Sequence, residues 1–420
     1  MGEIPVRRIE PDEGDAFIRS VRVPFLDPAT NAEEERAWTE RAVRRLETGR
    51  CWVAEDDGRF VANCEVRTMD LTVPSSPGSA CPVMAMGGVT AVGVHPTHRR
   101  RGLLGRMMAE MLDDSRRRGE PVAGLIASES VIYGRFGFGL ATDSATLAID
   151  TREAAMLVPP PALDLRLVER DEAAKVLPEL FDRQRTGRAG EVCRPTPFWE
   201  ELLSDEPKRR QSGAAGLFVA VCDEGYVAYR ALEDHSNWKR DQIIVEELRG
   251  TTAEVEAGLW QYVFGIDLTD QVSAPRRAID EPLRWRLADP RQLRTTEIED
   301  RLYLRILDVT AAFETRGYRD SGRLVLDVLP PPARAGAEDP VPGRWLLEVG
   351  PDGASCRGAA REEQADLRLD VTALGSLYMG AYPASLLAAA GRVEELTAGS
   401  LAAADRLLTT SPAPLTVTGF

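Results

Sequence analysis

An internal repeat constrains the fold of this 420-residue chain more than any other feature of its sequence. Residues 7–14 (RRIEPDEG) and 166–173 (RLVERDEA) each have the pattern of a short strand followed by an acidic helix start. Residues 51–63 and 217–229 each place two apolar runs around acidic residues and a glycine, which is typical of a β-hairpin. Both pairs occur in the same order and at similar separations. We therefore predict a tandem duplication of one α/β unit.

The remainder of the chain divides at changes in composition. A VPPP linker follows the first copy, and a polar, Arg-rich stretch precedes residue 299. Beyond it we expect short strands, a hairpin through Asp352-Gly353, helices within 371–408 and a final β-like segment, PLTVTGF. The predicted domains are residues 1–150, 151–298 and 299–420, and the predicted turns of the two repeated hairpins are Asp57-Gly58 and Glu224-Gly225.

Charge and cysteine content exclude several classes of protein. The chain has 52 basic and 67 acidic side chains, a net charge of −15, which argues against neutralisation of nucleic-acid phosphates and weakly favours a cationic ligand. Six cysteines without CxxC spacing and only three histidines give no metal signature. We see no signal peptide and no convincing membrane span, so we expect a cytoplasmic protein with free thiols and no membrane partner.

Residues 90–118 carry the strongest chemical signal. A β-like run ends at His95-Pro96, the basic turn Arg99-Arg100-Arg101-Gly102 follows, and a helix with one apolar face begins at Leu103. Free N–H groups at a helix start, with arginines beside them and a glycine that permits close approach, form an anion cradle suited to a pyrophosphate. A solvated basic loop before an ordinary helix is the alternative.

The second copy lacks this loop. Its strand and helix persist from Ile243 onward, but threonines replace the basic turn, and Glu254 and Glu256 would repel a phosphate. This asymmetry favours a nucleotide-like ligand in the first copy and a scaffold role for the second.

The loop resembles that of the GNAT (Gcn5-related) N-acetyltransferases, which hold the acetyl-CoA pyrophosphate on an R/Q-x-x-G-x-G/A motif. The longer block EPVAGLIASESVIYGRFGFGLAT at 120–142 resembles the Eis-type (enhanced intracellular survival) members, as do residues 302–318 and 375–390. The resemblance implies an α/β (α+β) fold of two tandem GNAT-like domains, the second degenerate, and a C-terminal sterol-carrier-protein-like domain. The residues that it implies for acetyl-CoA binding are Val92, Val94, Arg99, Arg100, Gly102, Leu103, Ser128 and Ile132.

Acetyl transfer to an amine requires a base that accepts the proton of the amine and an acid for the departing thiolate. By type, Glu129, Asp56 and Asp57 are candidate bases. The resemblance instead implies the terminal α-carboxylate, here that of Phe420, as the base, and Tyr133 as the acid. Without the resemblance, Tyr133 would be read as a packing residue and Phe420 as the end of a terminal edge strand.

The resemblance also implies an acceptor pocket that includes Phe25, Asp27 and Trp38, although the two aromatic residues could equally be core positions. The implied acceptors are cationic amines, aminoglycoside-like or polyamine-like, and the implied assembly is a hexamer. Two alternatives remain: acetylation of lysine in proteins or peptides, and binding of an apolar ligand by the C-terminal domain. A non-catalytic scaffold is disfavoured because Tyr133 and the Arg-Gly loop are both intact.

Overall fold

A computed structural model describes residues 4–26, 32–205, 214–232, 241–331, 339–360 and 362–420. The chain forms two compact units. The first contains Met1–Ala141, Leu302–Thr410 and Gly419–Phe420, and the second contains Thr142–Arg301 and Ser411–Thr418. Strands and helices are numbered here along the chain.

The first unit has one mixed sheet in the order β1-β2-β3-β4-β5-β14-β6. Its strands are β1 (Val6–Arg8), β2 (Cys51–Asp56), β3 (Arg59–Thr72), β4 (Val83–Val94), β5 (Val122–Ile126), β6 (Gly139–Leu140) and β14 (Leu302–Ile306). The helices of this part are α1 (Gly14–Arg22), α2 (Ala32–Val43) and α3 (Leu103–Arg117). Helix α3 packs on β3 and β4 and buries Met107, Met108 and Met111, as its predicted apolar face requires.

The same unit contains a second sheet in the order β17-β16-β15-β18-β19. Its strands are β15 (Gly322–Leu329), β16 (Gly343–Gly350), β17 (Gly353–Gly358), β18 (Leu367–Asp370) and β19 (Val393–Glu395). The accompanying helices are α8 (Val309–Thr315), α9 (Val371–Tyr378), α10 (Ala384–Ala389) and α11 (Ser400–Leu408). The hairpin predicted near Asp352 is confirmed as β16–β17, and the predicted helices are α9 to α11.

The second unit repeats the mixed-sheet design in the order β13-β7-β12-β11-β10-β9-β8. Its strands are β7 (Asp143–Asp150), β8 (Arg166–Val168), β9 (Phe218–Cys222), β10 (Gly225–Leu232), β11 (Asp241–Gly250), β12 (Thr269–Arg277) and β13 (Leu293–Asp300). Its helices are α4 (Arg170–Arg185), α5 (Thr196–Ser204), α6 (Ala253–Phe264) and α7 (Leu283–Arg286).

The two repeated hairpins are β2–β3 and β9–β10. In the first, Asp57 and Gly58 form the predicted turn, with φ angles of 50° and 71° that match a two-residue primed turn. The second turn is shifted by one residue from the prediction. Asp223 and Glu224 form it, because Gly225 already pairs with Cys222 as the first residue of β10.

Two strands depart from the predicted domain ranges. Strand β7 lies in the second unit's sheet between β13 and β12, although the range 1–150 includes it. Strand β14 lies in the first unit's sheet between β5 and β6, although the range 299–420 includes it. The final segment also differs from its β-like prediction, because residues 414–420 have no strand assignment and are held largely by side chains. These differences arise because strand pairing depends on partners that are distant in sequence, and local composition does not reveal those partners.

A buried ionic cluster fixes the C-terminal end of α3. Arg50, 1% exposed, donates from Nε to Asp114 of α3 at 2.9 Å and from Nη1 to Glu120 at 2.6 Å. A paired and hydrogen-bonded charge is the form in which arginine is tolerated in a protein interior. The cluster therefore attaches the C-terminal end of α3 to the segment that precedes β2. Among the described helices, none has the length and apolar character that a membrane crossing needs.

Candidate active site

The candidate site begins where β4 and β5 separate. These parallel strands pair only from Met86 to Gly88 and from Val122 to Gly124, although β4 continues to Val94. A bulge lies in the same stretch of β4: Ala91 has φ 50°, and its carbonyl accepts a hydrogen bond of 2.5 Å from Asn63 Nδ2. The β5-facing edge of β4 beyond Gly88 therefore forms one wall of a cleft, and an extended ligand could lie along it as a strand would.

The predicted anion cradle lies at the start of α3. Gly102 is the N-cap residue with a left-handed φ of 74°, and it provides no side chain to cap the first amides of the helix. Nothing lies within 4 Å of the position that a β carbon would take at Gly102. Arg99, Arg100 and Arg101 are exposed beside it, and Arg101 Nη1 lies 3.8 Å from Asp56 Oδ2. Uncapped amides, a glycine and exposed guanidinium groups fit a pyrophosphate.

The corresponding helix of the second copy is less suited to an anion. Thr252 caps α6, its Oγ1 accepting from Val255 N at 3.2 Å, and Glu254 and Glu256 lie in the first turn. A capped amide has no donor left for a ligand, and two acidic side chains oppose an anion there. The asymmetry predicted from sequence is therefore present in the local geometry.

Tyr133 lies in the core beneath α3 with 5% of its surface exposed. Its ring makes an edge contact with Phe138 at a centroid distance of 6.3 Å. Burial raises the pKa of Tyr133, and the charge of Glu129 raises it further, against the opposing effect of Ser128. The phenol is therefore protonated at neutral pH, as a proton donor must be.

Phe420 lies over the point at which β4 and β5 separate. Its ring carbon Cδ2 is 3.2 Å from the position that a β carbon would take at Gly88, the last β4 residue paired with β5. The sulfur of Met69 lies 2.5 Å from the same position. Sequence analysis missed Gly88 and Met69. The available signal was the adjacent pair Gly87-Gly88 inside a strand, because glycine in a strand often marks a close approach of another group.

The same face of β3 carries a charged pair that sequence analysis also missed. Arg67 is the register partner of Gly88, and Glu65 lies two residues before it. Glu65 is 1% exposed and accepts from Arg67 Nε at 3.2 Å. Burial raises the pKa of Glu65, and Arg67 opposes that shift. Their charges within the alternating pattern of β3 could have drawn attention to them. The hairpin pattern alone, however, does not show which face of the sheet carries the site.

The residues predicted for the acceptor pocket are only partly described. Phe25 is 46% exposed in the turn after α1, and Trp38 of α2 is half-buried with the guanidinium of Arg22 at 4.9 Å from its ring centroid. The face of Trp38 thus already binds a cation. Asp27 lies outside the described residues. Val92, Val94, Leu103 and Ile132 line the core beneath the cradle, and Ser128 is exposed beside Tyr133.

The other candidate bases have different settings. Asp56 pairs with His98 Nε2 at 3.0 Å, Asp57 forms the exposed hairpin turn, and Glu129 is exposed near Tyr133. In the described part of the chain, no group of three or more His, Cys, Asp and Glu side chains is placed to hold a metal ion.

Known proteins share this architecture. The acetyltransferase (GNAT) domain profiles match residues 5–141 and 190–306, and the sterol carrier protein domain profile matches residues 309–416. An uncharacterized N-acetyltransferase of Streptomyces avermitilis is 38% identical over 98% of this chain and 97% of its own. The N-acetyltransferase Eis of Mycobacterium tuberculosis is 38% identical over 77% of each chain. The crystal structure of Eis1 from Mycobacterium abscessus matches with a TM-score of 0.85 and 31% identity, covering 99% of this chain and all of the other.

The fold and the cradle define a GNAT acetyltransferase with two GNAT domains and a C-terminal sterol carrier protein domain, which confirms the predicted fold class. Within that class, the chain belongs to the Eis-type N-acetyltransferases. It is therefore an acyltransferase, as predicted.

Proposed function

We propose that this enzyme transfers an acetyl group from acetyl-CoA directly to an amine of a cationic acceptor, with Tyr133 as general acid and the α-carboxylate of Phe420 as general base. The observation that carries the proposal is the position of Phe420 over Gly88, where β4 and β5 separate. A terminal residue placed there brings a carboxylate to the cleft in which an extended ligand would end.

The residues around the cradle fit the nucleotide end of acetyl-CoA. The α3 amides that follow Gly102, with Arg99 and Arg100, would hold the pyrophosphate, and Leu103 packs beneath them. Val92 and Val94 line the edge along which the pantetheine arm would lie, with Ser128 and Ile132 opposite on the Tyr133 turn. Acetyl-CoA supplies an acetyl thioester. The protein supplies its position, and Tyr133 supplies a proton for the sulfur as the thioester opens.

Acceptor binding is assigned to Phe25, Asp27 and Trp38. Trp38 offers an aromatic ring whose face attracts cations, as the guanidinium of Arg22 at 4.9 Å from its centroid illustrates, and an acceptor ammonium would have to displace that group or use the other face. The net charge of −15 attracts cations in general. By family resemblance we propose aminoglycoside-like or polyamine-like acceptors, a homohexamer and a cytoplasmic location. Lysine side chains of peptides would use the same chemistry and the same residues.

Acceptor profiling tests the proposal. The purified enzyme is incubated with acetyl-CoA and, separately, an aminoglycoside, spermidine and a lysine peptide, and release of the CoA thiol is followed. We expect turnover with at least one cationic amine and its loss in Tyr133→Phe. Binding of acetyl-CoA without acetylation of any cationic amine would overturn the acceptor assignment, and acetylation of the lysine peptide alone would support the protein-directed alternative.

A further inference from the structure

A buried ionic cluster lies within the second unit. Glu191 is 2% exposed and Glu247 is 8% exposed. Arg249 donates hydrogen bonds to both carboxylates, and Arg194 binds Glu247 through Nη1 at 2.8 Å and Nη2 at 3.0 Å. Burying four charges costs considerable desolvation energy, and well-packed apolar residues would serve stability as well. Stability alone therefore does not explain the cluster, and a functional role should be sought in what it contacts.

The cluster binds the backbone of the C-terminal tail. Glu191 accepts hydrogen bonds from Val417 N at 3.3 Å and Thr418 N at 3.2 Å, and Arg194 Nε donates to Thr418 Oγ1 at 2.7 Å. Burial opposes ionisation of Glu191, but Arg249 and Arg194 outweigh that effect and lower the pKa of its carboxyl. Glu191 is thus an anion at neutral pH, and both of its oxygens face tail amides.

Arg301 holds the tail carbonyls. Its Nε donates to Thr416 O at 3.1 Å and its Nη2 to Val417 O at 3.2 Å. The hydroxyl of Thr416 donates to Gly190 O at 2.7 Å. A β carbon at Gly190 would lie 2.8 Å from Leu415 N, so the tail passes too close for any larger residue. Side chains therefore take the place of a strand ladder along the tail.

We propose that Glu191, Arg194 and Arg301 form a tail clamp that positions the α-carboxylate of Phe420 for catalysis. The inference rests on the proposed function, in which that carboxylate is the base. Only Gly419 separates the clamped Thr418 from Phe420. An unclamped tail that ends in Gly-Phe would sample many conformations, and ordering it at each turnover would cost entropy. This assigns a role to the second GNAT-like unit, which lacks the basic loop of the first.

The test compares Arg301→Met and Glu191→Gln with Arg230→Met as a control. Arg230 is 8% exposed in the same unit, but it pairs with Asp205 and Glu246. A displacement of about 1 Å at a reacting group can cost roughly 100-fold in rate, so we expect kcat of the clamp variants to fall by about 10- to 100-fold. The KM for acetyl-CoA should stay within about twofold, because the cradle is untouched. Arg301→Lys keeps the charge but has a single donor nitrogen in place of two, and its kcat should lie between those of the parent and Arg301→Met.

A second readout does not depend on activity. Carboxypeptidase A removes C-terminal aromatic residues from accessible tails, and intact-mass spectrometry follows the loss of Phe420. We expect faster release from both clamp variants and the parent rate from Arg230→Met, even if the control lowers Tm. Parent release rates together with parent kcat in both clamp variants would overturn the clamp. Deletion of Phe420 separates the two claims: full activity without Phe420 refutes the base itself, whereas an inactive deletion beside fully active clamp variants refutes only the clamp.

Discussion

The ring of Phe420 lies against Gly88, with Cδ2 3.2 Å from the position of an absent β carbon. Gly88 is the last β4 residue that pairs with β5, through Gly124. The chain's final residue therefore reaches the point at which the central strands part. Its position there accounts for the glycine at residue 88, one of three glycines in β4.

Filling the space over Gly88 should displace Phe420. A methyl group at residue 88 would meet Phe420 Cδ2 and, at 2.5 Å, the sulfur of Met69. Met69 is flexible and can adjust, so we expect Gly88→Ala to fold and to lose kcat by roughly 10- to 100-fold through the displaced carboxylate. Gly49→Ala is the control, because nothing lies within 4 Å of its β-carbon position. Steady-state kinetics with parent kcat in Gly88→Ala would contradict this account.

The loop before α3 should control affinity for acetyl-CoA and not the chemical step. Gly102 has φ 74°, and an alanine forced into that left-handed conformation costs about 1–2 kcal/mol. Gly102→Ala and Arg100→Gln should therefore raise the KM for acetyl-CoA about tenfold, the equivalent of ~1.4 kcal/mol, with little change in kcat. Glu254→Gln, in the corresponding helix of the second unit, is the matched control. An equal rise in KM for that control would contradict the assignment of the cradle to α3.

Tyr133→Phe removes the proposed acid without changing the shape of the core. General acid catalysis contributes about 10²–10⁴-fold, so kcat should fall by that order while acetyl-CoA binding persists. Phe138→Leu, a change to the ring that makes the edge contact with Tyr133, controls for packing. Pre-steady-state and steady-state rates distinguish the two, and a Tyr133→Phe enzyme that turns over at the parent rate would exclude the acid role.

The protein should lose stability in acid because two buried carboxyl groups of the second unit have lowered pKa values. Burial opposes ionisation of Glu247, but Arg194 and Arg249 outweigh it and lower the pKa of this carboxyl, as they do for Glu191. A lowered folded-state pKa adds stability that is present above the ordinary value of 4.5 and is lost as pH falls through the folded-state value. A folded-state pKa that is lower by one unit adds about 1.4 kcal/mol to the free energy of unfolding at neutral pH.

The measurement is Tm between pH 7 and pH 3 for the parent and Glu247→Gln. The parent Tm should drop steeply below about pH 4.5, and the variant should start lower and fall less steeply, because it has lost one titrating group. Identical slopes would show that Glu247 does not contribute in this pH range.

Local features of this fold could be predicted from sequence, and distant pairings could not. The β2–β3 turn, the apolar face of α3 and the basic loop follow from short-range patterns at Asp57-Gly58, Met107–Met111 and Arg99–Gly102. Tyr133 and Phe420 entered only through family resemblance. The contact of Thr418 with Glu191 joins residues 227 positions apart, and nothing in either segment identifies the other. For the same reason, the sequence did not reveal that β7 pairs in the second unit's sheet and β14 in the first unit's sheet. An apolar strand could pair in either sheet.

The central claim is that the α-carboxylate of Phe420 is the base, and a single added residue tests it most directly. Appending one glycine after Phe420 leaves the ring and the tail clamp unchanged but converts this carboxylate into an amide. Single-turnover acetyl transfer is measured beside acetyl-CoA binding and Tm. We predict a loss of roughly 100-fold or more in the transfer rate, in line with removal of a general base, with binding and Tm unchanged. Transfer at the parent rate by the extended enzyme would contradict the account.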